Sequence, residues 1–193
     1  LIGAGTVNMY MLSAHLELYK KFEKVNVWSR TSKRADAFAK EMSDKFETEV
    51  RSVGNLRHAV EGMDIVCVAT PAREPIVMND WVKQGTHINA FGADARGKQE
   101  LDPHILTRSK IVVDSLEQCK VGGEINVPLS KGLFNEKSVY GEIGEIVNGW
   151  KKGRTSDEEV TLMDSTGVAA LDVVTYHRAY EKALANGIGT KLR

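Results

Sequence analysis

Short apolar runs alternate with amphipathic stretches along most of the chain. This alternation is typical of β-strand–α-helix–β-strand units, in which parallel strands form one sheet. The apolar run at residues 64–69 predicts a strand that is buried on both faces, because it contains almost no polar residue. The predicted strands cover residues 25–28, 48–51, 64–69, 85–90, 110–114 and 160–163. Because crossovers between parallel strands are right-handed, the pattern predicts an α/β fold with a doubly wound parallel sheet.

Apolar residues at helical spacing fill several intervals between these strands. They predict helices at residues 9–21, at 32–42 with Ser32 as the N-cap, and at 55–61. Frequent glycines divide the middle of the carboxyl-terminal half into short pieces. A final helix at 168–185 is longer than the predicted crossover helices, which sets it apart from the repeating pattern.

The first apolar pair is followed at once by a glycine turn, Gly3-Ala4-Gly5. Two glycines separated by one residue let the backbone turn sharply and approach a pyrophosphate closely. A helix that opens at Thr6 would direct its free N–H groups and the positive end of its dipole at the same anion. Asn8 replaces the third glycine of the G-x-G-x-x-G pattern. The motif alone is therefore compatible with a dinucleotide site or with a plain strand-to-helix turn.

The chain begins two residues before this turn, whereas a central strand normally has about five residues. We therefore expect that an amino-terminal part of the protein is missing from this sequence. Residues 1–150 are predicted to form a Rossmann-like dinucleotide-binding domain. Residues 151–193 contain the last predicted strand and the long helix, and they are predicted to return toward the missing amino-terminal substrate domain.

Composition and charge narrow the class of protein. The 26 basic and 26 acidic residues give a net charge of zero, which indicates neither a nucleic acid nor an anionic membrane as a partner. No apolar run has the length of a membrane span and no signal peptide is visible, so we expect a cytoplasmic protein. Cys67 and Cys119 are too few for a disulfide framework and are predicted to be inert thiols. The five histidines show no metal-ligand spacing, so no metal site is predicted.

The second predicted strand-to-helix junction is Ser29-Arg30-Thr31. Dinucleotide folds that bind the ribose 2′-hydroxyl carry an acid here, about 20 residues after the glycines. An acid would repel a 2′-phosphate, whereas these three residues offer hydrogen-bond donors and positive charge. We therefore predict that NADP(H) is favoured, with NAD(H) as the alternative cofactor. The competing interpretation is that Arg30, Lys33 and Arg34 form the solvated start of a helix.

Polar residues also follow two buried strands of the predicted sheet. Thr70 and Pro71 follow the first of them, and Asn89 to Asp94 close the next, so both groups should meet at the carboxyl edge of the sheet. Asp94 is flanked by small residues that leave its carboxylate uncrowded. Beside a nicotinamide, such a carboxylate can bind a substrate ammonium or move protons to and from an amine or imine. The alternative is an ordinary turn aspartate.

Several segments together are similar to the ornithine cyclodeaminase/μ-crystallin family, along nearly the whole chain. The run from His87 to Asp94 resembles the archaeal-type alanine dehydrogenases, whereas the ketimine-reductase branch lacks an aspartate at the position of Asp94. Ser29-Arg30-Thr31 is instead closer to the NADPH-using ketimine reductases. The family usually has Gln-Ala where this chain has Val7-Asn8. The segments that carry the resemblance are Gly3 to Thr6, Val27 to Thr31, Asp64 to Thr70, Trp81 to Asp94, Gly97 to Leu101, Ile111 to Asp114, Gly122 to Asn126 and Asp164 to Gly167.

The resemblance implies a role for residues in most of these segments. It places the pyrophosphate on the glycine turn and the adenosine ribose at residues 29–31. It places the nicotinamide beside Thr70, Pro71 and Ser165, and it matches Asp94 to the family's acid/base aspartate. The family's substrate-binding arginine and lysine lie in an amino-terminal domain that also builds a homodimer. The predicted cofactor site comprises Gly3, Ala4, Gly5, Thr6, Val7, Ser29, Arg30, Thr31, Ala69, Thr70, Pro71, Asn89, Ala90, Gly92, Ser165 and Gly167.

These observations predict an oxidoreductase that moves a hydride between a nicotinamide cofactor and the α-carbon of a small amino acid, as alanine dehydrogenases do. The corresponding 2-oxo or imino acid would be the other substrate. Three alternatives stay open. An ornithine cyclodeaminase would trap the imine with the substrate's own side-chain amine and return the hydride. A ketimine reductase would consume NADPH with cyclic imines, and a binding protein would keep the cofactor fold without turnover.

Overall fold

The computed structural model describes residues 1–190, and within that range seven strands and seven α-helices alternate with short 3₁₀ turns. The strands are β1 (Val25–Val27), β2 (Val50–Ser52), β3 (Ile65–Val68), β4 (His87–Ala90), β5 (Lys110–Val113), β6 (Val139–Glu142) and β7 (Thr161–Asp164). The α-helices are α1 (Thr6–Tyr19), α2 (Ser32–Phe46), α3 (Pro103–Arg108), α4 (Leu116–Cys119), α5 (Asn126–Ser130), α6 (Ile143–Val147) and α7 (Ala169–Ala185). The 3₁₀ turns are Leu56–Ala59, Asn79–Trp81 and Glu136–Ser138.

The strands pair in parallel throughout. One sheet has the order β3-β4-β7-β5-β6, and β1 pairs with β2 in a second sheet. Ile2 joins the two sheets, because it forms parallel bridges to Trp28 after β1 and to Val68 in β3. β7, the last strand within residues 1–190, therefore lies between β4 and β5. The predicted doubly wound parallel sheet is confirmed.

The packing of the sheet follows from the apolar pattern. Helix α2 buries one stripe at helical spacing, Ala35, Phe38, Ala39 and Met42, against the apolar residues of β1 and β2. The larger core cluster is centred on the five-stranded sheet, in which β4 is the most completely buried of the three middle strands. The strand residues in this cluster are Val66, Val68, Ile88, Ala90, Ile111, Val113 and Leu162, each at most 1% exposed.

The predicted strands are observed with boundaries shifted by one or two residues, but several short elements differ from prediction. β6 was not predicted, because four residues at a sheet edge with mixed burial show no clear alternation. The stretch after Asn55 forms a 3₁₀ turn instead of an α-helix, with the Asn55 side chain accepting from Arg57 N at 3.0 Å. The N-cap of α2 is Thr31, which makes no side-chain capping bond, and Ser32 is the first helical residue.

Helix α7 differs from the other long helices because none of its residues is buried. It exposes six large apolar side chains: Leu171, Val173, Val174, Tyr176, Tyr180 and Leu184. No helix within residues 1–190 combines the length and the apolar character that crossing a membrane requires. The last three residues of the predicted 151–193 segment lie outside the described residues.

Candidate functional site at the carboxyl edge of the sheet

The predicted site residues lie at one edge of the sheet. Parallel strands end at the same side, and ligands of doubly wound sheets bind outside the carboxyl ends of the strands. Each predicted segment directly follows such an end: Gly3 follows Ile2, Ser29 to Thr31 follow β1, Thr70 and Pro71 follow β3, Gly92 to Asp94 follow β4, and Ser165 to Gly167 follow β7. The glycine turn, the basic junction and Asp94 are thus on the same edge.

Gly3 occupies a position that only glycine fits. Its φ is +104°, and an added Cβ would collide with the carbonyl oxygen of Ala69 after β3. Its N–H donates to Trp28 O at 2.8 Å, which holds the turn against the end of β1. Gly5 is different: its backbone is extended, and nothing lies within 4 Å of the place where a Cβ would stand. The space above Gly5 is therefore open to a ligand.

The amino terminus of α1 has the properties of an anion site. Its N-cap is Gly5, no side chain caps the first turn, and the first turn contains no acidic residue. Asn8 is 1% exposed, and its Nδ2 donates to Ile2 O at 2.8 Å and to Gly3 O at 2.7 Å. The residue that replaces the third glycine therefore fastens α1 to the glycine turn. The open space at Gly5 and the uncapped helix fit the pyrophosphate of a dinucleotide.

The basic junction after β1 is accessible. Arg30 and Thr31 are exposed, and α2 begins at the next residue without an acid in its first turn. Within the described residues, Arg30 forms no salt bridge and no side-chain hydrogen bond. Its guanidinium is therefore available to a ligand bound at this end of the sheet.

Asp94 is paired with a lysine of its own loop. The Lys98 ammonium contacts the Asp94 carboxylate and also donates to Gly92 O at 3.1 Å. The Lys98 side chain is only 18% exposed, whereas that of Asp94 is 59% exposed. Lys98 thus balances the charge of Asp94 from the protein side and leaves the carboxylate open to solvent. Lys98 was not predicted as a site residue, although its spacing of four residues from Asp94 is a sequence signal for such a pair.

A buried carboxylate connects the two loops that flank this pair. Glu100 is completely buried, and its two oxygens accept from Thr70 N at 2.6 Å and from Gly92 N at 2.9 Å. The glycine at position 92 is required by this contact, because a Cβ there would collide with the Glu100 carboxyl group. Burial raises the pKa of Glu100, and the hydrogen bonds from Thr70 and Gly92 oppose that rise.

Asp114 organises the loop after β7. Its carboxylate accepts from Ser165 Oγ at 2.7 Å, from Thr166 N at 2.9 Å and from Gly167 N at 2.7 Å. Burial acts to raise the pKa of Asp114, but the bonds from Ser165, Gly167 and their neighbours outweigh it, so the pKa is lowered. Asp114 is therefore a stable anion that fixes the predicted nicotinamide loop.

For four predicted site residues, the structure shows contacts within the protein or only a position in an element. Ala69 N donates to Ile2 O at 2.9 Å, and Ala90 O accepts from Ser165 N at 3.1 Å. The Asn89 side chain contacts Cys67 Sγ at 3.8 Å and His87 Nε2 at 3.3 Å, inside the sheet. Val7 lies in the first turn of α1 with its side chain 46% exposed. The predicted ligand roles of these residues stay predictions.

A cavity of about 470 Å³ lies away from this edge. Its walls include Val25 and Asp64 at the amino-terminal ends of β1 and β3, together with His15 of α1. In a doubly wound sheet that edge does not hold the ligand. The carboxyl edge, where the polar groups converge, is therefore the candidate site, and this cavity is not.

The two cysteines are buried. Burial raises the pKa of both thiols, and at Cys119 the nearby carboxylates of Asp164 and Asp114 add to the rise. The thiols stay protonated and are therefore poor nucleophiles. Among residues 1–190, no group of three His, Cys, Asp or Glu side chains is arranged to hold a metal ion.

We expect a measurable effect of pH on stability from Asp164, which is completely buried. Burial raises its pKa to about 7 despite hydrogen bonds from Glu124 N and Ile125 N. Between about pH 4 and pH 7 the folded chain therefore retains a proton that the unfolded chain has lost, so stability falls as pH rises. Asp164→Asn removes this titration, and urea unfolding across the interval should show a flatter pH dependence, by on the order of a few kcal/mol. An unchanged slope would contradict this assignment.

The chain was compared with known proteins. A family model described as "Ornithine cyclodeaminase/mu-crystallin family" matches residues 1–187. Alanine dehydrogenase of Archaeoglobus fulgidus is 42% identical over 192 residues, which are 100% of this chain and 58% of that protein. The chain therefore spans somewhat more than half the length of this relative.

Two solved structures have the same fold over the whole chain. An archaeal alanine dehydrogenase dimer with bound NAD superposes with a TM-score of 0.90 at 43% identity, covering 100% of this chain and 59% of that one. The Thermococcus litoralis Delta(1)-pyrroline-2-carboxylate reductase in complex with NADH and L-proline superposes with a TM-score of 0.94 at 42% identity, covering 99% and 59%.

Proposed function

The chain belongs to the ornithine cyclodeaminase/mu-crystallin family, and we propose that it is the cofactor-binding part of a nicotinamide-dependent oxidoreductase that acts on a small amino acid. The reaction would be oxidative deamination of the amino acid, or the reverse reductive amination, as the name of the Archaeoglobus relative indicates for that protein. Because the chain spans 58% of that relative, the substrate-binding residues of the rest of the protein are outside this proposal.

The observation that carries the proposal is the meeting of three groups at one edge. The glycine turn opens toward a pyrophosphate, and Glu100 brings the Thr70 loop and the Gly92 loop onto a single carboxylate. Asp94 stands two residues after Gly92 with its carboxylate exposed. A dinucleotide laid along this edge would have its phosphates at Gly5 and its nicotinamide end toward Asp94.

The cofactor, when bound, supplies the hydride chemistry. Gly3, Gly5 and Thr6 would hold the pyrophosphate, and Thr70, Pro71 and the loop fixed by Asp114 would border the nicotinamide end. These residues bind and orient; they do not carry electrons.

Asp94 is the group that we propose for proton transfer. In the oxidative direction its carboxylate would bind the substrate ammonium and take a proton from it, and it would later return a proton to the departing ammonia. The Lys98 ammonium contacts one side of the carboxylate. The exposed side remains free for the substrate amine.

A direct assay of nicotinamide absorbance tests the proposed reaction. With the protein that carries this chain, alanine or another small amino acid should change the nicotinamide absorbance, and the cofactor without substrate should show no change. A cyclodeaminase would release ammonia from ornithine without a net absorbance change, and a ketimine reductase would consume NADPH only with cyclic imines. Cofactor binding without turnover of any amino or imino acid would support the binding-protein alternative.

The imino-acid alternative has one specific observation behind it. The Thermococcus litoralis reductase, whose structure contains L-proline, is 42% identical to this chain. Asp94 would then supply a proton to the imine nitrogen as the hydride reaches the carbon. Reduction of a cyclic imino acid faster than oxidation of alanine would favour this second candidate.

We propose that NADP(H) binds more tightly than NAD(H). Arg30 is exposed and free of ion pairs among the described residues, and no acid lies at the end of β1 or in the first turn of α2. The two similar structures contain NAD and NADH, which is the alternative cofactor for this chain.

Arg30→Ala is expected to weaken NADPH binding by on the order of tenfold, because it removes a charge-assisted contact to the 2′-phosphate. NADH binding should change little, because NADH lacks that phosphate. Isothermal titration calorimetry of both cofactors measures the difference, with Lys40→Ala on the exposed face of α2 as the matched control. Tighter binding of NADH than of NADPH by the wild-type protein would contradict the proposal.

We further propose that α7, in the predicted segment 151–193, connects to a substrate domain and that the protein is a homodimer; β7 of that segment belongs to the five-stranded sheet. The exposed apolar side chains of α7 support the first point, since a solvent-facing helix rarely carries six of them. The archaeal relative is described as a dimer, which supports the second. Light scattering of the protein that carries this chain measures its oligomeric state.

A further inference from the structure

We propose that Glu100 is a positioning residue. It sets the spacing between the loop after β3, which contains Thr70, and the loop after β4, which contains Gly92 and Asp94. The inference rests on the proposed function, in which these two loops border the nicotinamide end of the cofactor. It adds a residue to which sequence analysis assigned no role.

Glu100 joins two loops that are far apart in sequence. One carboxylate oxygen accepts from Thr70 N, which follows β3, and the other accepts from Gly92 N, which follows β4. A carboxylate with both oxygens bonded to backbone N–H groups is held in a fixed plane. The distance between the two loops is therefore set by the width of one carboxyl group. Gly92 permits this close approach because it has no side chain.

Glu100 is in turn held by a second buried carboxylate. Glu124 accepts from Glu100 N at 2.8 Å and from Leu101 N at 2.6 Å. A third carboxylate, Asp164 at the end of β7, accepts from Glu124 N at 2.8 Å and from Ile125 N at 3.3 Å. Each carboxylate thus binds the backbone that carries the next one. The series connects the end of a central strand to the two loops that flank the proposed reaction site.

The three members of this series are all acids, which indicates a role other than stabilising the fold. All three carboxylates are completely buried, and within residues 1–190 none of them forms a salt bridge with a lysine or arginine. Burying three acids close together is costly, and apolar residues of similar size would pack at lower cost. An apolar side chain cannot accept from two backbone N–H groups, so it could not define the spacing of the loops. Three buried acids at these positions therefore fit a role in setting geometry.

Positioning at this edge has a direct chemical consequence. Asp94 is two residues from Gly92, so a shift of the Gly92 backbone moves the Asp94 carboxylate relative to the Thr70 loop. Proton transfer requires the donor and acceptor atoms to lie within hydrogen-bond distance, and small displacements have large effects on rate. Gly5 and Arg30, at the proposed pyrophosphate and adenosine positions, form no hydrogen bond with Glu100 and should not feel the shift.

Glu100→Gln tests the proposal. Glutamine keeps the size of the side chain, but its amide nitrogen would face one of the two N–H donors, so one loop is released. We expect turnover to fall by about 10- to 100-fold, while the dissociation constant for ADP, which lacks nicotinamide, changes by less than about twofold. Amide hydrogen exchange measured by NMR should accelerate at Thr70 or Gly92 and stay unchanged at Val66 and Ile88 in the strands.

A second Glu100 variant and a control variant complete the test. Glu100→Asp retains the charge but is one methylene shorter, so it should reach only one amide and give the same split if Glu100→Gln fails to fold. Glu41→Gln on the exposed face of α2 is the matched control and should leave every measured quantity unchanged. Unchanged exchange at both amides, or a loss of ADP binding as large as the loss of turnover, would overturn the proposal. If the wild-type protein turned over no substrate, the proposed function would fail, whereas the exchange rates would still decide the role of Glu100.

Discussion

Asp94→Asn is expected to remove most of the turnover and to leave cofactor affinity unchanged. Asparagine is nearly the same size as aspartate but cannot accept a proton at neutral pH, so the substrate amine loses its base. General acid–base catalysis typically contributes about 10²- to 10⁴-fold, and the loss should fall in that range. Steady-state kinetics with saturating cofactor, together with a direct titration of cofactor binding, measures both quantities.

The control for this substitution is Asp157→Asn. Asp157 is exposed and lies in the turn before β7, at the opposite edge of the sheet. It should have wild-type turnover and affinity. If Asp94→Asn retained turnover within about tenfold of the wild type, a typical acid–base contribution would be missing and Asp94 would have no such role.

The second large effect is expected from a pair of glycine substitutions. Gly3→Ala places a side chain at φ +104° and against the Ala69 carbonyl, so it should reduce the free energy of unfolding by about 2 kcal/mol or more. Gly5→Ala meets no protein atom within 4 Å and has an extended backbone, so stability should change by less than about 1 kcal/mol. Its methyl group would instead occupy the space of the pyrophosphate and lower cofactor affinity by on the order of tenfold or more.

This pair separates a structural glycine from a ligand-binding one. Urea unfolding measures the first effect, and calorimetric titration with the cofactor measures the second. Gly54→Ala, which also meets no protein atom within 4 Å and lies outside the site, serves as the matched control for both. Full cofactor affinity in a folded Gly5→Ala variant would mean that the dinucleotide does not approach this turn.

The sheet and the order of the site segments could be predicted from the sequence because they depend on local patterns. The buried strands are nearly uninterrupted apolar runs, and each predicted segment directly follows one of them. By contrast, β6 and helices α3 to α6 have four to six residues each, too few for a periodic pattern. Their formation depends on neighbours that are distant in sequence, such as β5 for β6.

The buried carboxylates could not be predicted from the pattern, for a physical reason. Acidic residues are rarely fully buried, so Glu100, Glu124 and Asp164 are expected on the surface by default. Their partners are backbone N–H groups, and those leave no signature in the sequence. Similarly, nothing in the local sequence indicates that Asn8 donates to the carbonyls of the glycine turn. Contacts between side chains and distant backbone become visible only in the folded chain.

The location of β7 between β4 and β5 has a consequence for biosynthesis. A ribosome releases β4 and β5 long before it releases residues 161–164, so both strands have an unpaired edge while the chain is being made. The centre of the sheet can close only when the last strand inserts between them, which is a contact between segments far apart in sequence and therefore a slow one. We expect nascent chains of this protein to need shielding of those two edges, as a chaperone provides, until the final strand arrives.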